Sequence, residues 1–251
     1  MGTRYEKLGI KQTVRKQWMD KTVQMMLAGL TENDIRAELN QYLSTQKQSG
    51  GIGERGRKTY GMAIAILSAW FAPAQDLLSF RNNALSIAGK KNSDQWLPLH
   101  WAVISASYPF WFNVARHAGR LFNLQEYITQ QQIFYRLKEQ YGDRETVLRN
   151  ARYTVRSFVS WGVLKDTEKK GCYRKTTQIS IADYKVAIIL LESALLASRE
   201  KQSIKDLLYS NPAFFPFELP MLSGEFIVQH SEHLDLIRYN FDDELLKLKI
   251  L

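Results

Sequence analysis

The stretch that decides the fold runs from Thr129 to Gln178, TQQQIFYRLKEQYGDRETVLRNARYTVRSFVSWGVLKDTEKKGCYRKTTQ. Thr129 is a helix-capping type, and Ile133, Phe134 and Leu137 follow at helical spacing, which predicts a short amphipathic helix. Tyr141-Gly142-Asp143 is a turn. A second helix is expected from Arg144 to about Trp161, with Val147, Leu148, Ala151, Val155, Phe158 and Val159 on one apolar arc. At about 100° per residue, Arg149, Arg152 and Arg156 fall within about 60° of one another on the non-core side, and Tyr153 and Ser160 lie close by. Gly162 stops this helix. Val163 to Asp166 begins a strand, Glu168-Lys169-Lys170-Gly171 turns the chain, and Cys172 to Ile179 returns as the second arm of a hairpin. The whole stretch carries eleven basic against five acidic side chains.

Immediately upstream, Phe110 to Phe122 reads as a further helix ending near Asn123. Three helices followed by a basic hairpin resemble the winged helix-turn-helix superfamily. The phrase Trp161-Gly162-Val163-Leu164 resembles the passage from recognition helix into wing in those proteins. The resemblance covers about fifty residues and implies a nucleic-acid-binding fold. Arg144, Arg149, Arg152, Tyr153 and Arg156 are then the candidate contacts on the helix. Lys165, Lys169, Lys170, Arg174 and Lys175 are those of the wing. Arginine in such a stripe can grip phosphate oxygens or make the bidentate contact to guanine. Lysines beside a groove neutralise phosphates and release counterions.

Toward the N-terminus, Val14, Trp18, Thr22 and Met25 have helical spacing, Gly29 offers a C-cap, and Thr31 with Asp34 makes a capping box for a second helix. Gln46 to Lys58 is a polar loop in which Arg55, Arg57 and Lys58 are candidate phosphate contacts. Gly51-Ile52-Gly53-Glu54-Arg55-Gly56 fits the G-x-G-x-x-G pattern, but it follows a helix rather than a strand, which argues against a dinucleotide site. A third helix is expected from Tyr60 to Phe71, with Pro73 at the first position of a fourth, and Pro98 and Pro109 each open another. Trp96, Trp101, Tyr108, Phe110, Trp111 and Phe112 are interleaved with few charges and are expected in the core.

Beyond the hairpin, Asp183 to Ala197 is a strongly apolar helix and Ser203 caps a short one. The three Phe between Asn211 and Phe217 are expected to pack on the protein's own core. Glu225 to Tyr239 reads as a β-hairpin whose turn carries His230 and His233, and Asp242, Asp243 and Glu244 as the cap of a final helix. The expected fold is mainly α, with boundaries near Pro109 and Ile179. Residues 1–108 form a helical N-terminal domain, 109–179 the winged helix, and 180–251 a helical C-terminal interaction region.

Composition narrows the function. The 251 residues are 45% hydrophobic and carry a formal charge of +9, enough apolar content for a full core and a balance that suits a polyanionic partner. Residues 201–251 reverse the sign, with five basic against eight acidic groups. The single Cys172, the absence of a signal-peptide pattern and apolar runs shorter than the roughly 20 residues of a membrane span predict a cytoplasmic chain. No Gly-x-Ser-x-Gly elbow, phosphate loop or Cys-His nucleophile pattern is present, so neither an enzyme nor a cofactor is expected. His230 and His233 lack a third ligand nearby and are not expected to hold a metal, while His100 and His117 lie among aromatics.

The order of parts, with Gly29 before a capped helix, the basic loop at Arg55-Gly56-Arg57, the pair Phe80-Arg81 and then the arginine-bearing helix, resembles the BrxA family of BREX phage-exclusion systems. The longer acidic C-terminal part departs from that pattern. The resemblance implies a small helical DNA-binding accessory protein with structural likeness to the RNA-binding antiterminator NusB. The expected function is non-catalytic binding of double-stranded DNA in phage defence, with other defence proteins meeting the C-terminal region. An RNA-binding helical protein and a protein-binding scaffold are the alternatives.

Overall fold

The computed structural model describes residues 4–46, 56–240 and 243–249. It is mainly helical, 61% helix against 11% strand, with three small sheets. Helices α1 (Lys16–Leu27) and α2 (Glu32–Ser44) are joined through Gly29, whose φ of 80° reverses the chain. Thr31 and Asp34 then cap α2 reciprocally. After α3 (Arg57–Phe71) the chain bends through a short 3-10 turn into α4 (Leu78–Ala88), so Pro73 lies ahead of the turn rather than at the first position of a helix. Its fixed φ and missing N–H suit that connection equally well. Pro98 and Pro109 do lie in the first turns of α5 (Leu97–Ser107) and α6 (Pro109–Phe122).

Next come β1 (Tyr127–Thr129), α7 (Gln130–Tyr141), α8 (Glu145–Ser160), β2 (Leu164–Asp166) and β3 (Cys172–Lys175). The returning arm expected through Ile179 ends at Lys175. Residues Ile179–Ser180 instead form β4, which pairs in parallel with β6 (Phe217–Glu218), so a change of partner divides what the apolar–polar alternation read as one strand. Helix α9 (Tyr184–Ser198) follows, then β5 (Gln202–Ser203) and a π turn at Asp206–Ser210 on which the Ser203 hydroxyl accepts from the Asp206 N–H.

The last part differs most from expectation. Gly224–Gln229 is helix α10, not the first arm of a hairpin. The hairpin is β7 (Leu234–Asn240) with β8 (Asp243–Leu248), and β5 joins its edge. Asp243 and Glu244 lie at the start of a strand rather than capping a helix, and Asp242 lies outside the described residues. The C-terminal part is therefore a helix backed by a sheet.

Helices α5 and α9 are apolar on nearly every side and pack against each other at the centre. Trp101 of α5 stacks on Phe158 at 4.9 Å between centroids and meets Trp111, Trp161, Phe215 and Phe217 edge-on at 5.6 to 6.2 Å. The three Phe of the Asn211–Phe217 loop thus close the protein's own core. His100 is fully buried among Trp70, Trp96 and Trp161. Trp70 Nε1–H donates to its Nδ1 at 3.1 Å, which puts its own proton on Nε2, 2.9 Å from Asp20 Oδ1. Burial pushes the His100 pKa down against that carboxylate. Among the described residues no single helix is long and apolar enough to cross a membrane.

Candidate nucleic-acid interface

Thr129 ends β1 and caps α7, through a reciprocal box with Gln132. Gly142, at φ 79°, turns the chain into α8. One face of α8 is buried through Val147, Ala151, Val155 and Phe158. Beside these lie Asn150, Thr154 and Ser157, polar yet buried, a row the apolar periodicity passed over. Their side-chain donors bond back to carbonyls four residues earlier, which pairs those donors inside the helix, while the Asn150 Oδ1 is buried without a hydrogen-bond partner. The Ser157 hydroxyl also accepts from Val14 N–H at 3.0 Å, and Trp161 Nε1–H donates to Val14 O at 2.9 Å. Helix α8 is therefore clamped to the chain ahead of α1, and its outer face is fixed.

That outer face carries Arg149, Arg152 and Arg156, all exposed, with Tyr153 half-buried at its edge. The three arginines are not equivalent. Arg156 Nη1 donates to both oxygens of Asp166 at 2.6 and 2.8 Å, and this contact holds its pKa above the ordinary arginine value. Arg149 and Arg152 have no carboxylate within ion-pair distance among the described residues. Arg144 is the N-cap of α8 and donates to Tyr141 O at 3.1 Å, so it closes the turn as well as facing solvent.

The strands form a three-stranded antiparallel sheet in the order β1-β3-β2. The register sets Lys165 opposite Arg174, and Arg174 opposite Tyr127. These three make one exposed row across the sheet. Two like charges directly opposite repel, which costs stability unless an anion lies over them. Lys169, Lys170 and Lys175 are exposed at the turn and the strand end. Between α8 and the turn opens a cleft of about 820 Å³, lined by Gln130, Arg152, Arg156, Asp166, Lys170 and Tyr173 among others. Tyr173 is buried in its floor, which pushes the phenol pKa up, and its hydroxyl donates to Gln130 Oε1 at 3.3 Å.

Tyr127, Gln130 and Tyr173 are the residues that the sequence reading missed here. The signal for Tyr127 was the alternating Tyr-Ile-Thr before a capping Thr, a short strand pattern whose partner lies more than forty residues away. Of the loop candidates, Arg57 and Lys58 do not join this face. Arg57 and Lys58 are exposed at the start of α3, whose packing partners are α1, α2 and α5, and Arg55 lies outside the described residues along with most of the glycine pattern. Among the described residues no group of three or more His, Cys, Asp or Glu side chains is placed to hold a metal ion. Compared with protein-family models, with curated proteins and with solved structures, the chain has no match.

Proposed function

We propose that α6, β1, α7, α8, β2 and β3 form a winged helix-turn-helix that binds double-stranded DNA, with α8 as the helix entering the groove and the β2–β3 turn as the wing. The element order supports this reading, because β1 adds the short strand that completes a winged-helix sheet beside its hairpin. The observation that carries the function is the uncompensated charge. Arg149, Arg152, Lys165, Lys169, Lys170, Arg174 and Lys175 are exposed without carboxylate partners among the described residues, on a helix face and sheet row that adjoin one cleft. A helix about 10–12 Å across fits the major groove of B-DNA, about 12 Å wide. Binding at this face requires no catalytic group. The resemblance to the BrxA family supports an accessory role in a cytoplasmic phage-defence system.

The test is a salt series of mobility shifts on duplex DNA, single-stranded DNA and structured RNA. Duplex is expected to bind tightest, with affinity falling linearly on a log–log salt plot. Replacing Arg149, Arg152 and Arg174 together by Ala should weaken duplex binding at least tenfold, roughly 1.4 kcal/mol, with circular dichroism unchanged. Tighter binding to structured RNA would replace the DNA reading. No binding to any of the three would leave the scaffold as the function of this face.

A further inference from the structure

Three residues far apart in sequence meet where α4, α9 and the start of β7 pack together. Ser79 lies in the first turn of α4, Glu192 within α9 and His233 just ahead of β7. The Ser79 hydroxyl oxygen is 2.8 Å from His233 Nε2, and His233 Nδ1 is 2.7 Å from Glu192 Oε1. Glu192 is only 3% exposed, whereas Ser79 faces solvent. The relay therefore runs from a buried carboxylate, through an imidazole, to an accessible hydroxyl. A carboxylate on Nδ1 keeps the ring proton there and leaves the Nε2 lone pair facing the serine. The ring is held in place by its own backbone, since the Lys249 N–H donates to His233 O at 2.8 Å.

Beside Ser79 opens a cavity of about 260 Å³, walled by Tyr5, Phe80, Leu196 and Leu248, where Asp76 is paired with Arg4 and the cations Arg199 and Lys249 also face the space. Arg199 has a φ of 61°, the only described non-glycine residue with a positive value, and its guanidinium lies 3.9 Å from the centre of the Tyr5 ring. Arg199 is the C-cap of α9, and its left-handed backbone ends the helix there with its N–H donating to Leu195 O. Arg199 has no carboxylate partner among the described residues, which leaves its charge for a ligand.

We propose that Ser79, His233 and Glu192 form a nucleophilic triad that cleaves short-chain carboxylic esters bearing an anionic group. The apolar walls accept the acyl chain, the small volume limits its length, and Arg199 with Lys249 attracts the anion. As Ser79 Oγ bonds to the acyl carbon, its proton passes to His233 Nε2. Collapse of the tetrahedral oxyanion breaks the bond to the leaving alkoxide, which takes that proton and departs as the alcohol. Water, deprotonated by the same nitrogen, then attacks the Ser79 ester, and the acid leaves as Oγ regains its proton. A plain structural tie between α4 and β7 would require neither the solvent-facing hydroxyl nor the cavity beside it. This site is separate from the α8–hairpin face and stands whether or not that face binds DNA.

The experiment exposes the full chain to a fluorophosphonate, which phosphonylates activated serines with loss of fluoride, and locates the adduct by peptide mass spectrometry. One adduct is expected, on Ser79, and Ser79→Ala should abolish it. His233→Gln should slow labelling about 100-fold. The wild-type rate should rise as the pH passes above 6.5, because the Glu192 hydrogen bond, opposed by burial and Lys249 and aided by the charges of Glu192 and Glu232, raises the His233 pKa and the attack needs Nε2 unprotonated. The 4-nitrophenyl half-ester of succinic acid should be hydrolysed faster than 4-nitrophenyl butyrate, and Arg199→Asn, which tolerates the same backbone, should remove that preference. No adduct on Ser79, or an adduct formed equally fast in His233→Gln, would overturn the triad. Equal rates on the two esters would overturn the assigned substrate class.

Discussion

Asp166 and Glu168 are the two acids that line the cleft beside Arg152, Arg156 and Lys170, and Asp166 is the one paired with a cation, Arg156. Its pair with Arg156 is half-exposed on both sides, 43% and 50%, so it contributes at most about 1 kcal/mol to stability. Its larger effect is to occupy Arg156 and to repel phosphate. Asp166→Asn keeps the shape, frees the guanidinium and removes a negative charge. Duplex affinity should rise severalfold and the salt slope steepen by about 0.9 as one more phosphate is neutralised. An unchanged slope would show that no phosphate approaches Arg156. Two histidines give a second residue-scale expectation, of opposite sign. Burial, reinforced by Arg116 and Arg120, pushes the His117 pKa down to about 4. Below pH 6.5 the unfolded chain takes up a proton that folded His117 refuses, so its contribution to stability falls as pH drops from 6.5 toward 4, by at most about 3 kcal/mol. His233, raised by Glu192, contributes stability that is present below 6.5 and lost as pH rises through its folded value. Imidazole proton resonances followed by NMR should move near pH 4 for His117 and above 6.5 for His233. Coincident titrations near 6.5 would contradict both environments.

Between elements, α6 packs closely against the turn at Pro212–Phe214. A Cβ placed on Gly119 would collide with the Pro212 carbonyl oxygen. In an isolated helix Gly→Ala gains about 1 kcal/mol, but here it must drive the turn off α6 and with it Phe214, Phe215 and Phe217, so a net loss of about 3 kcal/mol is expected in urea unfolding. A neutral result would mean that the loop does not close the core. The same contrast between local and distant causes decides what was legible in the chain. The boxes at Thr31 and Thr129 and the three–four spacing of α8 are local chemistry and read directly. After Asp243, the β8 segment Glu-Leu-Leu-Lys-Leu is made of good helix formers, and only its pairing with β7 and β5 makes it a strand. Short β1 depends likewise on β3. At the basic face the exposure of Arg149 and Arg152 followed from periodicity, but the Asp166 partner of Arg156 lies in another element and left no mark in the spacing. Ser79 and His233 are 154 positions apart, so no motif of fixed spacing could have joined them.

For the whole molecule, the net charge of +9 conceals a division between the basic α8–hairpin face and residues 201–251, where acidic groups outnumber basic ones. A chain so divided should meet a polyanion in one orientation, leading with the basic face, and the side chains of that face can then differ in what they do. Arg149 and Arg152 stand on a helix that can enter a groove, where a planar guanidinium can read base edges. Lys169 and Lys170 stand on a turn beside Gly171, at φ 75°, and present point charges without planar donors. Replacing both lysines by Ala should therefore weaken binding about equally on unrelated duplexes and flatten the salt slope by roughly 0.9 for each phosphate that is no longer neutralised. Replacing Arg149 and Arg152 should instead narrow the gap between a preferred sequence, found by selection from a random duplex pool, and unrelated DNA. If the lysine pair erases that gap while the arginine pair only lowers affinity overall, the wing reads bases and α8 grips the backbone, the reverse of the orientation drawn from this charge distribution.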